Sequence, residues 1–298
     1  MAPRSKAGAP VAPPPPRTLE VALQGAPFTS IQAALNQAKP GDTVLVRGGV
    51  YHEAVAFPTA GQPGSPITLK ARPGHIVLVT TSRPLQGKAQ PVPGLPNVYC
   101  WPGADLGAKP AEAGLWEASS CLRMCNVASL EECERRLGSW LYDETQKKLY
   151  IRSTGAAPAA DQLYVIEDSV NPAFTIAQPW ITLDGVQAAF NAHGVLFKPK
   201  KAHHITIRNC RFFCNRSAGI HATGDFLVFE DNDLFRNNQY GLQLRYGVNH
   251  VLAARNLACY NGPNNGETTD TSVPTDMGQY GHAEHVIFED NIIDGLHQ

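Results

Sequence analysis

Apolar and polar positions alternate in short bursts along the second half of the chain, and the bursts recur. From Trp180, five segments align on a first strand: Ile181-Thr-Leu183, Ile205-Thr-Ile207, Leu227-Val-Phe229, Val251-Leu-Ala253 and Val286-Ile-Phe288. Their starts lie 24, 22, 24 and 35 residues apart. Such a repeat is the signature of a solenoid, in which each unit buries its apolar side only by stacking on the next. Seven residues after each start stand Ala188, Phe212, Leu234, Ala258 and Ile293, all apolar. Ten after the first four starts stand Asn191, Asn215, Asn237 and Asn261, and five after the last three stand Asn232, Asn256 and Asn291. Asparagines stacked coil on coil can hydrogen-bond along the axis and tolerate tight turns. A second strand follows a glycine at Gly194, Gly219 and Gly241. Period-two alternation turns Val195 and Phe197, Ile220 and Ala222, and Leu242 and Leu244 inward.

Upstream, residues 27–58 predict a different start. Thr29 or Ser30 suits an N-cap, Ile31, Ala34 and Leu35 recur at helical spacing, and Lys39-Pro40-Gly41 ends the helix. A short amphipathic helix there would cap the open end of the solenoid. Strand and turn continue through Pro66 to Leu69 and His75 to Val79. The coil pattern is lost from about Pro84 to Asp168. Within that stretch GSWLYDETQKKLYIR, residues 138–152, predicts a β-hairpin turning between Asp143 and Lys147. Ser129 with Glu132 three residues on predicts a short capped helix. The expected organisation is a disordered Pro/Ala-rich segment at 1–17, a cap and first coils at 18–84, an inserted β-rich subdomain at 85–168 and further coils at 169–298. The fold class is all-β: a right-handed parallel β-helix with a short N-terminal capping helix and an inserted small β-rich subdomain. The fifth coil stops soon after its first strand, so the expectation is a truncated solenoid or an end covered by a partner.

The segment FTSIQAALNQAKPGDTVLVRGGVYHEAV, with GQPGSPITLKARPG after it, resembles the opening of secreted right-handed parallel β-helix proteins of the pectate lyase-like superfamily. That superfamily includes pectate lyases, chondroitinase B-like and alginate lyases, and β-helix xylosidases. The 138–152 hairpin resembles a small β-domain inserted in some of them. The resemblance covers nearly all of residues 18–298. It implies a polysaccharide substrate, polysaccharide lyase or glycoside hydrolase activity, and an extracellular or cell-envelope location. The alternative is a non-catalytic carbohydrate-binding or surface β-helix, because fold alone does not give function. Several members bind calcium through clustered aspartates. Asp270 and Asp276 share one loop but do not reproduce that pattern, so no cofactor is predicted and calcium is unsupported by the motifs.

Composition narrows the picture further. Lys+Arg of 25 against Asp+Glu of 26 leaves a net charge of -1, which supplies no positive field for nucleic acid. No run of roughly 18 apolar residues exists to span a membrane. Met1 to Pro16 carries no signal-peptide core, so the expectation is an export signal upstream of Met1 or none. Seven cysteines form no CxxC pair. Cys121, Cys125 and Cys133 lie close enough for a local disulfide, with buried thiols as the other reading.

The alternation that buries one set of side chains turns the other outward. Leu196, His221 and Gln243 form one outward column, and Lys198, Thr223 and Arg245 the next. A polar, partly cationic patch suits an acidic sugar. Arg245 would neutralise a uronate carboxylate, and His221 or Lys198 would remove the adjacent proton. Residues 262–281 make the fourth coil longer than its neighbours, and its Asp270, Asp276 and Tyr280 are candidates for acid, base or sugar contact, a carboxylate pair there suiting glycoside hydrolysis. His204, His250 and His285 share a column with Trp180 and Phe226, which predicts an aromatic ladder and no metal cluster. Trp101, Trp116 and Trp140 are expected in the core of the insertion.

Overall fold

The computed structural model describes residues 15–107, 113–155, 163–199, 202–245, 247–262, 276–279 and 284–294, and strand counts refer to these. Three parallel sheets of eight, seven and six strands wind around one apolar core, a right-handed parallel β-helix. Successive coils of the eight-stranded sheet stay in one register, Thr18–Thr43–Thr68–Thr182–Thr206–Val228–Leu252–Ile287. Because side chains alternate across a strand, that column faces out. Its neighbours Ile181, Leu183, Ile205, Ile207, Leu227 and Phe229 are fully buried. The second strands Val195–Phe197, Ala218–Ala222 and Tyr240–Leu244 lie in the six-stranded sheet, with Val195, Phe197, Ile220, Ala222, Leu242 and Leu244 inward as expected.

Each coil turns its corners with single left-handed residues. One corner uses Gly185, Asn209, Asp231, Arg255 and Asp290, and another Phe190, Cys214, Arg236 and Tyr260. Left-handed backbone disfavours most side chains, so the short polar residues at the first corner fit the local demand. Beside each corner runs an asparagine ladder. The Nδ2 of Asn191 donates to Asn215 Oδ1 at 3.0 Å, Asn215 to Asn237 at 2.9 Å and Asn237 to Asn261 at 2.9 Å. Asn232, Asn256 and Asn291 form a second ladder at 2.9 and 3.0 Å. Every rung also serves backbone groups that would otherwise be buried and unpaired.

The helix Ile31–Leu35 is present, with Ser30 Oγ accepting from the Ala33 amide. Its Ile31, Ala34 and Leu35 enter the solenoid core. A strand that the apolar pattern did not reveal, Thr18–Val21, precedes the helix and pairs with Thr43–Val46.

Between Val77–Thr80 and Phe174–Ile176 the coil is interrupted by two sheets of four and five strands, mostly antiparallel. The hairpin pairs Ser139–Asp143 with Lys148–Arg152. The helix Leu130–Arg135 is capped by Ser129, which accepts from the Glu132 amide. Trp101 and Trp140 pack in a separate core with Met124, Leu149, Ile151 and Tyr164. Trp116 belongs to the seam with the solenoid, where it meets Phe190 and Cys214. The local disulfide does not form. Cys121 bonds instead to Cys214 of the solenoid, 93 residues on. The reason is side-chain placement: Cys125 and Cys133 face a distinct cluster with Val98 and Val127, while Cys121 packs at the seam.

Candidate functional site

The outer face of the six-stranded sheet gathers most of the predicted site. Register pairs Leu196 with His221 and His221 with Gln243 on successive coils. Arg245 follows one strand end, its amide bonded to Ala222 O. Lys198 follows the strand Val195–Phe197, two coils from Arg245, its amide bonded to Ile176 O, and its side chain is exposed. Gln243 is buried despite facing outward, and Arg245 is half-buried.

His221 is the centre of this face. Its ring lies 5.1 Å from that of His193, edge to face. Burial, with the nearby Arg245 cation, pushes the His221 pKa down to about 4. Burial, His221 and Arg216 lower His193 to about 4 as well. Both imidazoles are therefore neutral at pH 7. The Ala218 amide donates to His193 Nδ1 at 3.4 Å, so the proton of that ring sits on Nε2. His221 Nδ1, Thr223 Oγ1 and Asp225 Oδ1 are all buried without a hydrogen-bond partner. His221 lies on the strand Ala218–Ala222 and Thr223 in the turn after it, whereas Asp225 opens the strand Asp225–Glu230 of the eight-stranded sheet, paired with His203. Buried polar groups are nearly always paired, and the two neighbouring orphans at His221 and Thr223 mark a place suited to a ligand's polar groups.

Sequence reasoning missed His193, Asp225 and Arg216. His193 stands just before Gly194, outside the outward columns, and Asp225 stands across a coil corner from Thr223. Arg216 reaches Glu167 Oε1 of the insertion at 3.5 Å, which joins the seam to the histidine pair.

Asp276 does not serve as a sugar contact. It is buried, and its Oδ1 accepts from the Asn261 amide at 2.9 Å and from Asn261 Nδ2 at 2.7 Å. It occupies the next rung of the asparagine ladder, because an aspartate carboxylate can accept there as an asparagine does. Asp270 and Tyr280 lie outside the described residues. Among the described residues no group of three or more His, Cys, Asp or Glu is placed to hold a metal ion, and no helix is long and apolar enough to cross a membrane.

The expected aromatic ladder is present on another face. Trp180, His204, Phe226, His250 and His285 stack at 3.9, 4.6, 4.6 and 4.7 Å. An open cavity of about 570 Å³ runs beside them over Thr206, Val228 and Leu252. The strongly shifted histidines, His193 and His221, lie on the other face, and chemistry follows those.

No family model and no curated protein matches the chain. Solved structures do. The chain is similar to XylC in its complex with xylose, at 15% identity and a TM-score of 0.65, over 93% of this chain and 63% of that one. It is also similar to the pectate lyase Pel9A, at 13% identity, a TM-score of 0.48 and 92% against 63% coverage. An alginate lyase from Paenibacillus sp. str. FPU-7 aligns at 11% identity and a TM-score of 0.42, over 94% of this chain and 75% of that one. The fold is thus that of the parallel β-helix proteins. The chain spans less than two thirds of the length of the first two.

Proposed function

We propose that this chain is a carbohydrate-active β-helix protein that takes an acidic polysaccharide across the face centred on His221 and cleaves it by β-elimination. The observation that carries this reading is the pair of orphaned buried groups at His221 and Thr223 beside the Arg245 cation. Arg245 suits a uronate carboxylate, which its planar fork can hold bidentately. The neutral imidazole of His221 offers a lone pair for the proton α to that carboxylate. Removing it gives an enediolate. Its electrons then form the C4–C5 double bond and expel the glycosidic oxygen, which takes up a proton. An imidazole with a pKa of about 4 is a weak base in the empty site. A bound carboxylate offsets the Arg245 field and raises that pKa, so the base strengthens as substrate arrives. Thr223 supplies a partner for a sugar hydroxyl. Hydrolysis by a carboxylate pair is less well supported, because Asp276 is committed to the ladder. Secretion is part of this proposal, since the substrate is an extracellular polymer.

The test is a panel of uronate and neutral polysaccharides assayed for unsaturated ends by absorbance and for reducing ends. Replacing His221 with Ala should lower turnover about a hundredfold or more, the usual scale for a general base. Arg245→Ala should weaken uronate binding more than neutral-sugar binding, and Lys198→Ala should act mildly. Full activity in both His221→Ala and Arg245→Ala would remove this site. Binding without turnover would favour the carbohydrate-binding reading.

A further inference from the structure

The aromatic ladder is more exposed than a purely structural stack requires. Phe226 is 46% exposed and His250 is open, and the cavity beside them is lined by Pro66, Trp180, His204, Phe226, His250 and His285. The register of the eight-stranded sheet extends this column downward. Thr18, Thr43, Thr68 and Thr182 are in line. The residues two places earlier are therefore also in line: Pro16, Gly41, Pro66 and Trp180. Pro16 lies against Gly41, its Cγ 3.5 Å from where a Gly41 side chain would begin. The proline-rich N-terminal segment thus joins the solenoid at the foot of the aromatic column.

We infer that residues 1–14 of this chain, with the sequence MAPRSKAGAPVAPP, dock along the aromatic ladder as a polyproline II strand. Three observations support this occupant over others. The first is connection: the segment leaves the solenoid in the ladder's own column, so its local concentration there is on the order of millimolar. The second is repeat. One polyproline II turn of three residues rises roughly 9.3 Å, which matches two ladder steps such as the 4.6 and 4.7 Å from Phe226 to His285. Proline rings can then meet every second ring edge. The third is length: fourteen residues extend about 43 Å as polyproline II. Seven coil steps of about 4.8 Å separate Pro16 from His285, so the segment reaches the top. The groove floor of Thr182, Thr206, Val228 and Leu252 is small and mostly apolar, as such ligands require. This surface is separate from the face at His221.

The test compares the full chain with a variant lacking residues 1–14, using a labelled synthetic peptide of residues 1–16. The shortened protein should bind the peptide, and the full chain should bind it at least tenfold more weakly because its own segment competes. A peptide with Pro10, Pro13, Pro14, Pro15 and Pro16 changed to Ser should lose binding. So should the shortened protein carrying Phe226→Asn, a side chain suited to the left-handed backbone there (φ 56°). Circular dichroism checks that each variant is folded, and His250→Asn is the second variant should Phe226→Asn not fold. No binding to the shortened protein, or equal binding to both proteins, would overturn the inference. A full chain whose mass doubles with concentration, and stays single without residues 1–14, would reassign the groove to the segment of a second copy.

Discussion

The solenoid and the insertion solve the same problem in opposite ways. Both bury polar groups, and both must satisfy them. The coils use one device many times: an amide side chain at a fixed offset bonds its successor and the backbone around it, from Asn191 through Asn261. The insertion uses carboxylates, each in a setting found once. Glu167, with its side chain fully buried, accepts from Trp116 Nε1 at 2.8 Å and Arg123 Nε at 2.9 Å. Glu117 is equally buried and accepts from Ser153 Oγ at 2.6 Å and Ser120 Oγ at 2.5 Å. A neutral ladder spreads its cost over every coil. A buried charge concentrates it, since removing one partner strands another charge in low dielectric. Damage to the insertion should therefore be larger per residue and more local.

Glu167→Ala sets the largest expected effect. It removes the acceptor of Trp116 Nε1 and the Glu167–Arg123 ion pair, and the loss should be about 3–5 kcal/mol, the scale for breaking a buried ion pair. Three of the four tryptophans, Trp101, Trp116 and Trp140, lie in the insertion, so fluorescence reports that region and far-ultraviolet circular dichroism the coils. The fluorescence transition should move well below the dichroism transition. Two transitions that stay together would show that the regions unfold as one unit.

Reducing the Cys121–Cys214 bond, or replacing both cysteines with Ser, comes next. The bond closes a loop across 93 positions and cross-links the insertion to the solenoid beyond the chain connections at its ends. Its removal should cost about 2–4 kcal/mol. The loss should fall on the insertion, whose seam packs Cys214 against Trp116 and Phe190. An unchanged fluorescence midpoint under reducing conditions would mean that the seam holds without it.

Asn237→Ala tests the other side of the contrast. It removes the acceptor for the Asn215 amide and Asn215 Nδ2, and the donor to Phe212 O. Each buried group left unpaired costs about 1–3 kcal/mol, less whatever water can satisfy. The expected loss is about 2–3 kcal/mol, and it should lower the dichroism midpoint first. An Asn237→Asp change keeps the acceptor and should recover part of it at low pH, where the protonated acid also donates.

The same contrast explains what the sequence disclosed. Repetition is legible: four starts at near-constant spacing, with a fifth after a longer coil, fixed which residues point inward, and the asparagine offsets located both ladders. The hairpin and the Ser129 cap were legible because their signals are local. The partner of Cys121 was not, since nothing local in the chain links it to a cysteine 93 residues away. Asp276 misled because a loop aspartate and a ladder aspartate carry the same letter, and only the coil above Asn261 separates them. The site was half legible. Alternation placed His221, Gln243 and Arg245 on one face. His193 and Asp225 came into view only once corners brought different strands together.

The smallest expected effect is a pH dependence that belongs to the His221 face alone. His193 and His221 have folded-state pKa values near 4, against about 6.5 unfolded. Between those values the unfolded chain binds protons that the folded chain refuses, so stability falls as pH drops from about 6.5 towards 4. Below about 4 both states are protonated and this contribution levels off. The depressed carboxylates act in a lower window: Asp42 and Asp184, held down by cations and hydrogen bonds, contribute stability that is lost only as pH falls through the carboxylate range. The burial-shifted His204 of the ladder also weakens the fold in acid, but it is shared by parent and variant and cancels in their difference. Melting temperatures at pH 7 and pH 5 should therefore differ by several degrees in the parent chain. In a His193→Asn, His221→Gln double variant that difference should shrink. An equal drop in both proteins would mean that the two imidazoles are already solvated and protonated together in the folded chain, and the buried, neutral base proposed for elimination would lose its physical basis.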